Sequence, residues 1–437
     1  MERDLLSQAV RRWVEEHREE AVGLAARLVR IPSVNHPPHG EEAEYQRFMA
    51  RWLQEAGAAV EMYPLTDVPG LKDHPAYMDS RVYTNRPNVA GSFFGGNGRS
   101  LLFSGHADTV YEGNEAWTYP PYGGEVHDGY LYGRGAYDMK GGMAAAMMAV
   151  KCLISLNVPI AGTVHIESVV DEEHGGANGS LAGRLRGPNA DMAIIPEPSN
   201  MRLYTAHLGG GIWKASFEGR SGIGFAGEEL VSALDATVEF AAMLKAFRAY
   251  RFGRMPAHPL WEGGREPEVT LLSIYSGDAS RELQEKLPAT GELNFWIEGY
   301  PGVTGEEIMA ELWAYYEAQS PHYPTLAQCR PQIKPLIRYL SGSELPRDDR
   351  TDSFMRIAAS TGERVLEAPV GPPQGAPFAC DAFMFNLYSR TPAIVIGPSG
   401  ANAHAADECL DLDAYERLIR WYAEMIIDWC GLLPAKG

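Results

Sequence analysis

Four short apolar runs in this chain each lead to a histidine or a carboxylate. They are "SLLFSGHAD" (100–108), "GTVHIESVVDEE" (162–173), "ADMAIIPEPS" (190–199) and "TPAIVIGPSG" (391–400), the last reaching His404 through a short loop. Their length and aliphatic, often β-branched character make them strands. "MKGGMAAAMMAVKCLISL" and "DLDAYERLIRWYAEMIIDWC" carry apolar residues at helical spacing. Strands alternating with helices require an α/β fold, a mostly parallel sheet flanked by helices. Ligands of such sheets bind outside the carboxyl ends of the strands. The acids and histidines therefore belong on one edge.

The interval between about 206 and 325 differs in texture. "GIWKASFEGR", "EVTLLSIYSG" and "GELNFWIEGY" read as strands, and "AGEELVSALDATVEFAAMLKAF" and "TGEEIMAELWAYYEAQ" as helices. This order describes a small α+β sandwich inserted into the main domain. The expected division is 1–205 and 326–437 for the catalytic domain, with 206–325 as the insertion.

A formal net charge of -19 speaks against nucleic acid or an anionic membrane surface as a partner. No apolar run approaches the length of a membrane span. The charged, helical start has no signal-peptide core. Five scattered cysteines form no CxxC pair, so neither a disulfide frame nor a thiolate zinc site is suggested, and a reduced, cytoplasmic protein is the expectation.

Within the strand ends, Asp171, Glu172 and Glu173 are adjacent acids that repel one another unless something positive sits nearby. A lone His-x-Asp is usually a local hydrogen bond, and Asp138 in "GRGAYDMKGG" has a bland reading as a helix N-cap. Taken together, His106, Asp138, Glu173, Glu197 and His404 are a cysteine-free ligand set suited to zinc, with cobalt or manganese admissible. Asp108 is expected to orient the imidazole of His106. Three carboxylate ligands and a bridging hydroxide balance two dications, which favours two metals over one.

The segments "GHADTV", "DGYLYGRGAYDMKGG", "DEEHGG", "EPS" and "AHAADE" resemble, in order, the dinuclear-zinc peptidase and deacylase family. That family includes acetylornithine deacetylase, succinyl-diaminopimelate desuccinylase and aminoacylase. The resemblance extends over nearly the whole chain and implies a zinc aminopeptidase-like fold. It implies one zinc on His106, Asp138 and Glu197 and a second on Asp138, Glu173 and His404. It makes Glu172 the general base, Asp108 its catalytic companion beside His106, and the insertion a lid through which a homodimer forms. Amide hydrolysis of an N-acyl amino acid derivative or small peptide-like substrate follows. A dipeptidase or carboxypeptidase of the same fold, and a repurposed metal-binding scaffold, are the alternatives.

The lid departs from the family pattern. Ile223 stands where family members carry an oxyanion-stabilising His. Glu285 replaces an Asn, and Glu298 replaces an Arg that binds the substrate carboxylate. Two acids in such places select against an anionic ligand, so the expected substrate need not carry a free α-carboxylate and can be cationic or amidated, unless both acids are simply solvated strand residues. His207, at the hinge in "TAHLGGG", is one candidate replacement donor, the alternative being a hinge histidine bonded to backbone.

Overall fold

The computed structural model describes residues 3–176, 178–224, 227, 229–263, 266–278 and 280–434. The chain opens with helices α1 (Arg3–Glu16), α2 (Arg18–Val29) and α3 (Ala43–Glu55). Strands β1 (Ala59–Pro64), β2 (Pro87–Phe93) and β3 (Ser100–His106) precede helix α4 (Gly141–Ser155). β4 (Thr163–Val169), α5 (Asn178–Arg186), β5 (Met192–Ile195) and β6 (Tyr204–His207) follow. Next come β7 (Gly209–Glu218), α6 (Ala233–Phe252), β8 (Val269–Ser276), β9 (Thr290–Gly299), α7 (Gly305–Gln319) and β10 (Gln332–Leu340). The chain ends with β11 (Ser343–Glu344), α8 (Asp349–Leu366), β12 (Gln374–Ala376), α9 (Ala382–Tyr388), β13 (Ala393–Val395) and α10 (Leu412–Cys430).

The large sheet has the order β11-β6-β13-β5-β3-β4-β2-β1, with β12 also on β6. Its centre is parallel: β3 pairs with β4 and β5, and β5 with β13. β1, β2 and β6 add antiparallel pairs at the flanks, so the sheet is mixed. The central strands are buried along almost their whole length, as expected when helices cover both faces. Helix α4 is buried nearly all round, which explains its run of Ala, Met and Gly. Gly142 is required there, because a Cβ would lie 2.1 Å from the Pro196 carbonyl oxygen. That close approach brings the start of α4 against the end of β5.

Two compact units result: Met1–Ala206 with Glu344–Ala376 and Cys380–Gly437, and His207–Ser343 with Pro377–Ala379. The second contains an antiparallel sheet of order β8-β9-β7-β10. One face of it buries Phe217, Leu293 and Phe295 against Phe240, Leu244 and Phe247 of α6 and Leu312 and Tyr316 of α7. The return to the first unit, expected at 326, falls at 344. β10 pairs with β7 and belongs to the insertion. Pro335 interrupts the alternation of that strand, and an edge position tolerates a proline. Helix α6, expected from 226, begins at Ala233, where Ser232 caps it by accepting the Asp235 N–H; part of the preceding stretch lies outside the described residues.

His207 is buried at the start of the second unit. Its Nδ1 lies 2.9 Å from the Leu208 carbonyl and its Nε2 2.9 Å from Ser343 Oγ. A carbonyl can only accept, so Nδ1 holds the proton and the serine hydroxyl donates to Nε2. The ring is thereby committed to the fold, which argues against the donor role expected of it. Burial pushes its pKa down to about 4, against a weaker upward pull from the Leu208 hydrogen bond. Between that value and ~6.5 the unfolded chain binds the proton and the folded chain does not. Stability should therefore fall as pH drops through this window, by up to ~3 kcal/mol from this group. Unfolding free energies measured from pH 7 to 4 should show a shallower slope in His207→Gln than in the wild type.

Candidate metal centre

The central parallel strands carry their expected residues to one edge. His106 ends β3, Glu172 and Glu173 follow β4, Glu197 follows β5 and His404 lies in the loop after β13. Asp138 enters from the turn preceding α4. The cap position of α4 is Lys140, two residues further on, and Asp138 makes no capping bond, so the N-cap reading fails.

Asp138 lies between the two imidazoles and offers one oxygen to each. His106 Nε2 is 3.3 Å from Asp138 Oδ1 and 3.6 Å from Glu197 Oε1. His404 Nε2 is 3.2 Å from Asp138 Oδ2 and 3.0 Å from Glu173 Oε2. Two triads thus share one carboxylate. The trio His106, Asp138 and Glu173, and also the trio His106, Glu172 and Glu197, place one ligand atom from each residue within 4.8 Å of the others. Glu172 therefore sits close enough to be a ligand as well as a base.

The electrostatics of the cluster call for positive charge. Burial pushes the carboxyl groups of Glu172 and Glu197 well up, aided by Asp381 at Glu172 and by Asp138 at Glu197. His404 is held well above the usual imidazole range by Glu173, against burial. Burial opposes charge on His106 too, yet Asp138 and the acids around it raise it. Burial also works against Asp138, and the two imidazoles nevertheless hold it well below the ordinary carboxylate range. Protons are a poor substitute for cations here. Asp138 Oδ1 and Glu173 Oε1 are buried and receive no hydrogen bond. Carboxylate oxygens in that condition, aimed among histidines, fit a divalent metal pair.

The supporting shell corrects one expectation. His106 Nδ1 is 2.8 Å from the main-chain carbonyl of Asp108, while the Asp108 carboxylate is 4.0 Å away. The carbonyl sets the tautomer, leaving Nε2 for metal. The carboxylate instead accepts the N–H groups of Glu172, at 3.1 Å on Oδ1, and Glu173, at 3.0 Å on Oδ2. Asp108 thus holds the loop that presents both glutamates.

Several supporting residues have roles the sequence did not mark, although Glu408 and Asp171 lie inside the segments "AHAADE" and "DEEHGG". Buried Glu408 accepts Arg134 Nη1 at 2.6 Å and the N–H groups of Gly135, Tyr137 and Asp138 at 3.0, 2.9 and 3.0 Å. It shapes the turn that carries Asp138, four residues along the chain from His404. Asp171 is fully buried, with Tyr83 Oη at 2.7 Å and Arg81 and Arg86 each at 3.4 Å. Ser180 donates to Asp381, the acid that acts on Glu172.

The positions expected to recognise substrate behave differently from one another. Ile223 and Glu285 are exposed. Glu298 is buried, and its carboxylate accepts the Glu268 N–H at 2.9 Å. Its place in the lid's own hydrogen bonding argues against the recognition role expected of it.

Comparison with known proteins supplies the wider context. A deformylase of N-formyl-4-amino-5-aminomethyl-2-methylpyrimidine from Bacillus subtilis (strain 168) is 25% identical over 465 residues, covering 97% of each chain. A succinyl-diaminopimelate desuccinylase from Methylobacterium radiotolerans is 27% identical, covering 93% of this chain and 96% of its own. The dipeptidase Dug1p from Saccharomyces cerevisiae shares the fold, with a TM-score of 0.75 at 13% identity, covering 97% of this chain and 98% of its own. The model of peptidase family M20/M25/M40 matches residues 102–428, a span that holds every candidate ligand. The shared fold, the ordered strand-end residues and this match establish the chain as a member of peptidase family M20/M25/M40.

Proposed function

We propose that this hydrolase is a dinuclear-metal amidohydrolase that removes an acyl group from an amine lacking a free α-carboxylate. The observation that carries the reading is Asp138, with one oxygen toward His106 and the other toward His404. His106, Asp138 and Glu197 would hold one metal, and Asp138, Glu173 and His404 the other. Zinc is the metal the His and carboxylate donors suit, with cobalt or manganese as substitutes. Such a pair, when bound, polarises the scissile carbonyl and makes water a better nucleophile at neutral pH.

The chain's own residues supply the proton transfers. Asp108 holds the Glu172 and Glu173 amides side by side. Glu173 lies beside His404 and Glu172 beside His106 and Glu197, so Glu173 can hold metal while Glu172 serves the substrate. Glu172 takes a proton from the attacking water and delivers it to the leaving nitrogen. Burial and Asp381 raise its basicity, which suits a base working near neutral pH.

The substrate class rests on Ile223 and Glu285, which stand where the family pattern places a His and an Asn, and on the absence of the carboxylate-binding Arg at Glu298. The deformylase relative, whose named substrate is an N-formyl aminopyrimidine, supports this class. A homodimer through the second unit is part of the proposal. Leu272 and Ile274 on edge strand β8, and Leu234 and Val238 on α6, are exposed apolar residues suited to a second copy. A cytoplasmic location is also proposed, supported by five cysteines that are all unpaired and buried.

Glu172→Gln should retain two metal equivalents and lose at least ~100-fold in kcat, the lower end for a positioned acid–base group. Loss of metal from that variant would make Glu172 a ligand instead. Among matched N-acyl substrates, amides and N-formyl amines should be cleaved with higher kcat/KM than free α-carboxylates. A clear preference for dipeptides or N-acyl amino acids would favour the dipeptidase or desuccinylase reading. In sedimentation, the wild type should be a dimer and Val238→Glu with Ile274→Lys a folded monomer.

A further inference from the structure

Asn35 lies in the loop between α2 and α3, in "RIPSVNHPPHG", and is 2% exposed. Its Nδ2 is 2.8 Å from Asp108 Oδ2 and 2.9 Å from Asp171 Oδ1. An amide nitrogen has two hydrogens, one for each carboxylate. The reverse orientation would set the carbonyl oxygen against two acids, so the contact itself dictates which way the carboxamide points. Its Oδ1 is buried and makes no hydrogen bond, so the amine end carries the side chain's interactions. The backbone is held too, with Asn35 N donating to the Thr109 carbonyl at 2.9 Å.

The two acids it joins have different duties. Asp171 is fastened to the body of the first unit by Tyr83, Arg81 and Arg86. Arg86 is itself fixed by a buried pair with Glu42, Nε to Oε2 at 2.8 Å and Nη2 to Oε1 at 2.5 Å. Asp108 faces the other way and accepts the amides of Glu172 and Glu173. Asp108 and Asp171 carry like charge, and both are essentially buried. Without a donor between them they would repel, and the Asp108 carboxylate would be free to turn.

We propose that Asn35 is a positioning residue for the metal centre. Its carboxamide fastens Asp108 to the anchored Asp171 and so fixes the backbone of Glu172 and Glu173 relative to His106. The inference rests on the metal reading above and extends it to a residue no ligand motif marks. Groups that orient ligands at one remove typically affect metal affinity 10–100-fold.

The test measures metal binding rather than turnover. Metal-stripped wild type, Asn35→Leu and Asn35→Asp are titrated with Zn²⁺ against a competing chelator, and with Co²⁺ followed by visible absorption. Gln46→Ala serves as control, since Gln46 is also buried but bonds the Ser168 carbonyl. The wild type should bind two equivalents. Both Asn35 variants should bind one of them 10–100-fold more weakly, with an altered cobalt spectrum, while Gln46→Ala lowers only the melting temperature. If Asn35→Leu and Asn35→Asp do not fold, Asn35→Ser decides by the same measurements. Folded Asn35 variants with wild-type affinity and spectrum would overturn the proposal. A wild type that binds no metal would instead overturn the metal reading beneath it.

Discussion

Asp138 placed between His106 and His404, with Glu172, Glu173 and Glu197 close by, is the constraint to which much of the first unit is organised. Four carboxylates cannot be brought together out of water unless positive charge joins them. The imidazoles answer only part of that demand, and the buried, unbonded oxygens of Asp138 and Glu173 mark what remains. A divalent pair meets it with the donor chemistry present. The concentration of charge that would destabilise an ordinary core is thus the same feature on which the proposed chemistry rests.

The fold answers this constraint in layers. Parallel strands bring residues far apart in sequence to one edge, because their carboxyl ends all point the same way. Around that edge a ring of hydrogen bonds holds each ligand-bearing turn: the Asp108 carbonyl for His106, the Asp108 carboxylate for Glu172 and Glu173, and Glu408 for Asp138. His106, Asp108 and Glu408 are buried. In a low dielectric these bonds are strong, and leaving one unmade is costly.

The His-x-Asp pair shows where local reading stops. Spacing alone places Asp108 on the same face as His106 and invites a carboxylate–imidazole bond. In the folded chain the carbonyl takes that role, because the carboxylate turns to the β4 loop, brought alongside by sheet pairing. Glu298 is parallel in kind. Its position in the lid invited a recognition role, yet pairing of β8 with β9 gives it a backbone partner and buries it. Asn35, and the role of Glu408 at the end of "AHAADE", escaped notice for the complementary reason. Each is an ordinary polar residue in a loop or turn, and its partners lie far away along the chain.

What the sequence determined by itself was the alternation of strands and helices, the identity of the histidines and carboxylates that cluster, and their arrival at one sheet edge. Those follow from local periodicity and from where each apolar run breaks off. Tertiary structure alone decided that the insertion runs on to Ser343 through an edge strand interrupted by Pro335, that His207 pairs with Ser343, and which groups surround the clustered acids and histidines. These depend on partners brought together across long stretches of chain. A side chain's role there is set by what faces it, and periodicity carries no information about that.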